Sequence, residues 1–140
     1  MPSISHSVEL SQPPEAVFPW LLEEDKVPQW TSELQSYSVE GALQQGATVR
    51  QTLALAGGLK LNMEISGYDP PRSAETRFET NGVNITSAYL LEPNGGGTKL
   101  TQTLEAKGGG LAWRMLIPIV QGRLEKKLAE DLERLRGVLG

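Results

Sequence analysis

The 140-residue sequence contains no cysteine and a single histidine, His6. Disulfides and Cys/His zinc centres are excluded, and a catalytic metal would need Asp and Glu as its main ligands. No metal and no cofactor are expected, and a thiol-free chain reads as cytoplasmic. An excess of positive charge is also missing. With 13 Lys and Arg against 17 Asp and Glu, the formal net charge is -4. Nothing here calls for a polyphosphate, so nucleic acid is not an expected partner. The opening residues, MPSISHSVELSQ, show no basic segment leading into an apolar one. No run reaches the roughly 18 apolar residues of a membrane span. The nearest approach, AKGGGLAWRMLIPIVQG at 106–122, is interrupted by Arg114 and followed by Arg123 and the charged segment 125–127. No integral membrane segment is expected.

What is present is a sequence of alternating patterns. Ile4, His6, Val8 and Leu10 alternate with Ser5, Ser7 and Glu9, the period of a half-buried strand. Pro13 and Pro14 then suit a first helical turn, with Ser11 or Gln12 as the expected N-cap. A short helix over EAVFPWLLEED would bury Val17, Phe18, Leu21 and Leu22, with Pro19 kinking or shortening it. A second helical turn around VPQW would return Trp30 to the core. From Leu34 onward, six further strand patterns are separated by Gly41, Gly57-Gly58, Asp69-Pro70-Pro71, Asn81-Gly82 and the NGGG of 94–97. After Gly108-Gly109-Gly110, Leu124, Leu128, Leu132, Leu135 and Leu139 recur at helical spacing. Lys126 with Glu130, Lys127 with Asp131, and Glu130 with Arg134 are expected as i,i+4 pairs on the opposite side. One strand, two short helices, six strands and a long helix make a single α+β domain over 1–140, with an antiparallel sheet on one side of the long helix.

The segments that hint at chemistry read better as structure. NGGGTKL lacks the spacing of a phosphate loop and leads into a strand. KGGG at 107–110 precedes the helix and is best read as a strand-to-helix connection. His6 has no serine or carboxylate at a recognisable spacing, so it reads as a half-buried structural residue on the inward face. Glu23, Glu24 and Asp25 form a solvated run without the converging oxygens of a cation site. Asn84-Ile85-Thr86 matches a glycosylation sequon but falls in an expected strand. No catalytic residue is assigned.

The element order, together with VELSQPPEAVFPWL, VPQW, YDPPRSA, YLLEPNGGGTKLT and LEKKLAEDLERLRGVL, resembles the START/Bet v 1-like helix-grip superfamily (SRPBCC) over essentially the whole chain. Within it the chain is most similar to the polyketide cyclase/dehydrase-like branch. The resemblance implies a curved seven-stranded antiparallel sheet wrapped around the C-terminal helix, with a mostly apolar cavity between them. On that frame Trp30, Tyr37, Met63, Ile65, Phe78, Ile85, Tyr89, Gln102 and Leu104 are the expected lining from the strands and first loop. Trp113, Leu116, Ile117 and Val120 are expected to contribute from the helix, with Pro118 marking a bend near the cavity mouth. The small inward residues Ala74, Thr76, Ser87 and Ala112 would leave space unfilled. The Tyr37 and Tyr89 hydroxyls and the Gln102 amide would orient a ligand. The expected function is binding or transport of a small hydrophobic molecule, such as a lipid, quinone or polyketide-like aromatic. The alternatives are a cyclase or dehydratase using Tyr37, Tyr89 or His6, and a chaperone-assisting interaction module.

Overall fold

Alternation in the first strand, β1 (Ser3–Leu10), becomes a division between solvent and core: Ile4, Val8 and Leu10 are buried while Ser3, Ser5, Ser7 and Glu9 are exposed. The chain is described from a computed structural model. It covers residues 3–54, 58–80, 82–108 and 111–139, without the side chains of Leu59, Thr80 and residues 111–121.

Where the sequence predicts one kinked helix after β1, two four-residue helices form, α1 (Pro14–Val17) and α2 (Pro19–Leu22). The reason is Pro19, which has no N–H to continue the α1 ladder and instead opens α2 at its first position. Val17, Phe18, Leu21 and Leu22 are buried, as the spacing predicts. The expected side-chain N-cap does not form. Pro13 holds that position, and its carbonyl accepts from the Ala16 and Val17 amides. Gln12 turns outward from this role and donates its amide to the Leu139 carbonyl at 2.6 Å, tying the start of α1 to the end of the C-terminal helix. A 3₁₀ turn at Val27–Gln29 follows, and it delivers Trp30 to the core, 2 % exposed, with its indole N–H on the Trp20 carbonyl at 2.8 Å.

Six strands complete the sheet: β2 (Leu34–Glu40), β3 (Thr48–Leu53), β4 (Leu59–Asp69), β5 (Ser73–Thr80), β6 (Val83–Asn94) and β7 (Gly97–Gly108). They pair antiparallel in the order β1-β7-β6-β5-β4-β3-β2, so the two helices near the N-terminus span the distance between opposite edges. The β6–β7 hairpin turns through Gly95 and Gly96, both at positive φ, where other residues would be strained. Gly97 serves a different purpose. A Cβ there would collide with the Leu10 carbonyl oxygen, so its lack of a side chain lets β7 approach the end of β1.

The C-terminal helix, α3 (Leu111–Leu139), runs unbroken through Pro118 and lies against β1. Its leucine stripe packs as expected: Leu128, Leu132 and Leu135 are buried and Leu124 and Leu139 are half-buried. One expected surface pair is placed differently. Lys127 and Asp131 meet at 2.6 Å with side chains only 16 % and 7 % exposed. The physical reason is the loop before β2: Asp131 also accepts from the Ser32 amide at 2.9 Å, and Lys127 donates to the Ser32 carbonyl at 2.8 Å. The pair is therefore a clasp between helix and loop, and α3 presents it inward.

Candidate functional site

The inward phases of the strands fix a wall of side chains on the concave face. Across β1, β7, β6 and β5 the register sets His6 beside Gln102, Gln102 beside Tyr89, and Tyr89 beside Ala74. One step along, Ile4, Leu104, Ser87 and Thr76 form the next row, and Thr76 pairs with Ile65 of β4. Ala106, Ile85 and Phe78 form the row beyond. Polar groups are thus gathered in the middle of an apolar wall.

Gln102 is the hub of that group. Its side chain is buried, and its amide nitrogen donates to the Ser87 hydroxyl at 3.1 Å and to the Tyr89 hydroxyl at 3.2 Å. Both N–H bonds of the amide are consumed in this way; the Ser87 and Tyr89 hydroxyls are also bonded to each other, so one proton of that pair remains for another acceptor. Burial pushes the Tyr89 phenol well above its ordinary range, and the negative charge of Asp131 adds to the effect, while a hydrogen bond with Ser87 opposes it. Tyr37 is raised too, first by burial and then by Tyr89 and Glu24. Near neutral pH both phenols are uncharged donors.

The thirteen expected lining residues do not share one environment. Trp30, Met63 and Ile65 are buried in the core. Tyr37 lies half-buried on β2, and its hydroxyl donates to the Leu22 carbonyl at 2.7 Å, fastening a sheet edge to α2. Phe78, Ile85, Tyr89 and Leu104 are half-buried on the concave face around buried Gln102, and the register brings these five together. Trp113, Leu116, Ile117 and Val120 fall in α3, and their side chains lie outside the described residues. Sequence reasoning passes over Ser87 and Thr76 as donors or acceptors, treating them only as small. Their inward phase is visible in the alternation, but the cross-strand neighbour that gives Ser87 its hydrogen bond depends on register, as does the place of buried Thr76 beside it. A separate cleft of about 380 Å³ lies between α1–α2 and the β4–β5 turn, and none of the thirteen lines it. Among the described residues, no group of His, Asp and Glu is arranged to hold a metal ion, and no helix is long and apolar enough to cross a membrane.

Against known proteins, the sequence matches over residues 1–140 the family described as polyketide cyclase/dehydrase and lipid transport. No curated protein sequence matches the chain. Among solved structures, TTHA0849 from Thermus thermophilus superposes with a TM-score of 0.81 at 16% identity, covering 99% of this chain and 97% of the other. Ara h 8.0201 gives 0.78 at 16% identity over 99% and 97%. The Aha1 dimer from Colwellia psychrerythraea gives 0.72 at 19% identity over 99% and 96%. At these identities the likeness is one of fold.

Proposed function

The chain belongs to the polyketide cyclase/dehydrase and lipid-transport family, and from that premise we propose that it binds or carries a small hydrophobic molecule between the concave face of its sheet and α3. The observation that carries this reading is the patch of half-buried Phe78, Ile85, Tyr89 and Leu104 around the Gln102–Ser87–Tyr89 hydrogen bonds. Apolar side chains that folding leaves partly exposed on an inward-facing wall still have area to bury, and a ligand would gain about 25 cal/mol for each Å² it covers there. The hydroxyl proton that the Ser87–Tyr89 pair leaves free supplies orientation. A lipid, a quinone and a polyketide-like aromatic all present an apolar body with an oxygen that can accept such a proton. Trp113, Leu116, Ile117 and Val120 are proposed as the opposing wall.

Acid/base chemistry fits this wall less well. A proton donor and acceptor work best with pKa values near the operating pH, whereas burial drives Tyr89 and Tyr37 away from it. The reading is tested by native mass spectrometry of freshly purified protein, followed by thermal shifts with a panel of apolar molecules. Retention of an extractable hydrophobic molecule, or stabilisation that grows with ligand concentration, is expected. With Tyr89→Phe the affinity should fall about three- to tenfold, the cost of one hydrogen bond. A protein that is empty as isolated and unresponsive to every member of the panel would overturn the proposal.

A further inference from the structure

The cleft of about 380 Å³ is lined by Phe18, Leu22, Leu43 and Tyr68, by Pro19, Pro70 and Pro71, and by the carboxylates of Glu15 and Glu23. Its chemistry differs from that of the concave face. Three prolines contribute no backbone N–H, and two carboxylates accept but do not donate. An anion entering here would meet repulsion and few donors. A strongly hydrated primary ammonium would exchange water for few acceptors, since most of the wall is carbon. A cation wrapped in methyl groups suits both properties, because its surface is apolar and its charge is diffuse.

The aromatic arrangement supports the same occupant. Tyr68, half-buried, is backed by Phe18, with ring centroids 5.5 Å apart and an interplanar angle of 64°, so the two rings make a corner rather than a stack. Ring faces attract cations, and methylated ammonium ions are commonly held in such aromatic corners. Of the two carboxylates, Glu23 is already bound to Lys26 at 3.3 Å. Glu15 is exposed and has no hydrogen bond or ion pair among the described residues. Beside the cleft the chain makes a related contact of its own, placing the Lys26 ammonium 5.7 Å from the centroid of the Trp20 ring.

We propose that this cleft is a second binding site, separate from the concave face, for a small methylated ammonium ion, with Tyr68 as the ring partner and Glu15 as the counter-charge. The volume is near the lower end for small-molecule sites, which restricts the occupant to a compact one. The test is an NMR titration of the full chain with choline chloride at constant ionic strength, with 3,3-dimethylbutan-1-ol as its uncharged isostere and phosphocholine as its anionic extension. Saturable shifts at Leu22, Leu43 and Tyr68 are expected with choline and not with the alcohol, and phosphocholine should bind no more tightly than choline. Glu15→Gln, a change at an exposed position, should weaken choline binding about two- to fivefold, and Tyr68→Leu should weaken it at least as much. Equal shifts with the alcohol would reduce the cleft to an apolar groove and overturn the proposal. It would also fail with no saturable shift, with Glu15→Gln unchanged, or with tighter binding of phosphocholine. None of these outcomes bears on the concave-face reading.

Discussion

The concave face has two halves of different character. Towards the β6–β7 hairpin, Val8, Leu10, Leu91 and Leu100 meet Val17 and Leu21 from the short helices and Leu132 and Leu135 from α3, and none of the eight is more than 4 % exposed. Towards the other end of the inner face Ile4, Thr76 and Val83 are buried, but Phe78, Ile85, Ser87, Tyr89 and Leu104 are only half-buried. Strand pairing is continuous through both halves, so backbone hydrogen bonding does not distinguish them. Packing does. In the first half folding itself covers the apolar surface and the result is stability; in the second, surface is left over that the proposed ligand would cover.

The sharpest way to break that comparison is to truncate one side chain in each half. Leu100 is fully buried, and Leu100→Ala removes transfer energy and leaves a cavity in a close-packed region. A loss of about 3 kcal/mol is expected by urea denaturation. Ile85→Ala, in the half-buried row, should cost about 1 kcal/mol, because part of its surface is already in contact with water. The order should reverse for ligand affinity, which Ile85→Ala is expected to lower and Leu100→Ala to leave unchanged at temperatures where the variant stays folded. Equal costs in stability would show that the two halves are packed alike.

How far the sequence discloses this division depends on the interaction. Period-two alternation puts Val83, Ile85, Ser87, Tyr89 and Leu91 on one face, and the structure keeps all five there. The leucine spacing of α3 and the glycine-rich hairpin are equally legible, because both are local patterns. The degree of burial along one face is not. Ile85 and Leu91 have the same phase and similar chemistry, yet only Leu91 lies under the short helices and the leucine stripe. That difference comes from where α1, α2 and α3 rest, which no local pattern encodes. Tyr37 and Asp131 illustrate the same limit. Their partners, the Leu22 carbonyl and the Ser32 amide, are backbone groups distant in sequence or supplied by an irregular loop.

A second, smaller effect should come from the clasp on α3. Lys127→Met removes the ion pair with Asp131 and the bond to the Ser32 carbonyl, leaving a buried carboxylate with only the Ser32 amide as its partner among the described residues. Because Lys127 keeps some solvent contact, the full penalty for orphaning a buried charge does not apply, and a loss of about 2 kcal/mol is expected in chemical denaturation. Lys127→Met combined with Asp131→Leu should recover much of that loss by removing the unpaired charge as well. Recovery would show that the clasp sets the loop's position more than it adds stability. A double variant as weak as the single one would make the clasp a stabilising element of the packed half.

The smallest expected effect lies in the tyrosines, and it concerns pH. Tyr37 and Tyr89 both have hydroxyls pushed above the ordinary phenol value of 10.0, chiefly by burial. In the unfolded chain these groups release protons near 10. In the folded chain they hold them at higher pH. Above that point the native state binds more protons than the unfolded state, so the contribution of the two phenols is complete below pH 10 and declines as pH rises further. Stability followed by urea denaturation should therefore be insensitive to these groups at neutral pH and fall on the alkaline side. Tyr89→Phe should flatten the fall, since phenylalanine has nothing to ionise. Tyr37→Phe should flatten it too, while also costing about 1 kcal/mol at neutral pH for the lost bond to Leu22. If a ligand covers the half-buried wall, its presence should extend the Tyr89-dependent part of the fall to higher pH without changing its onset near 10, and leave the Tyr37-dependent part in place. An alkaline profile unchanged by Tyr89→Phe, with or without ligand, would place that hydroxyl in water and remove the polar centre of the second half.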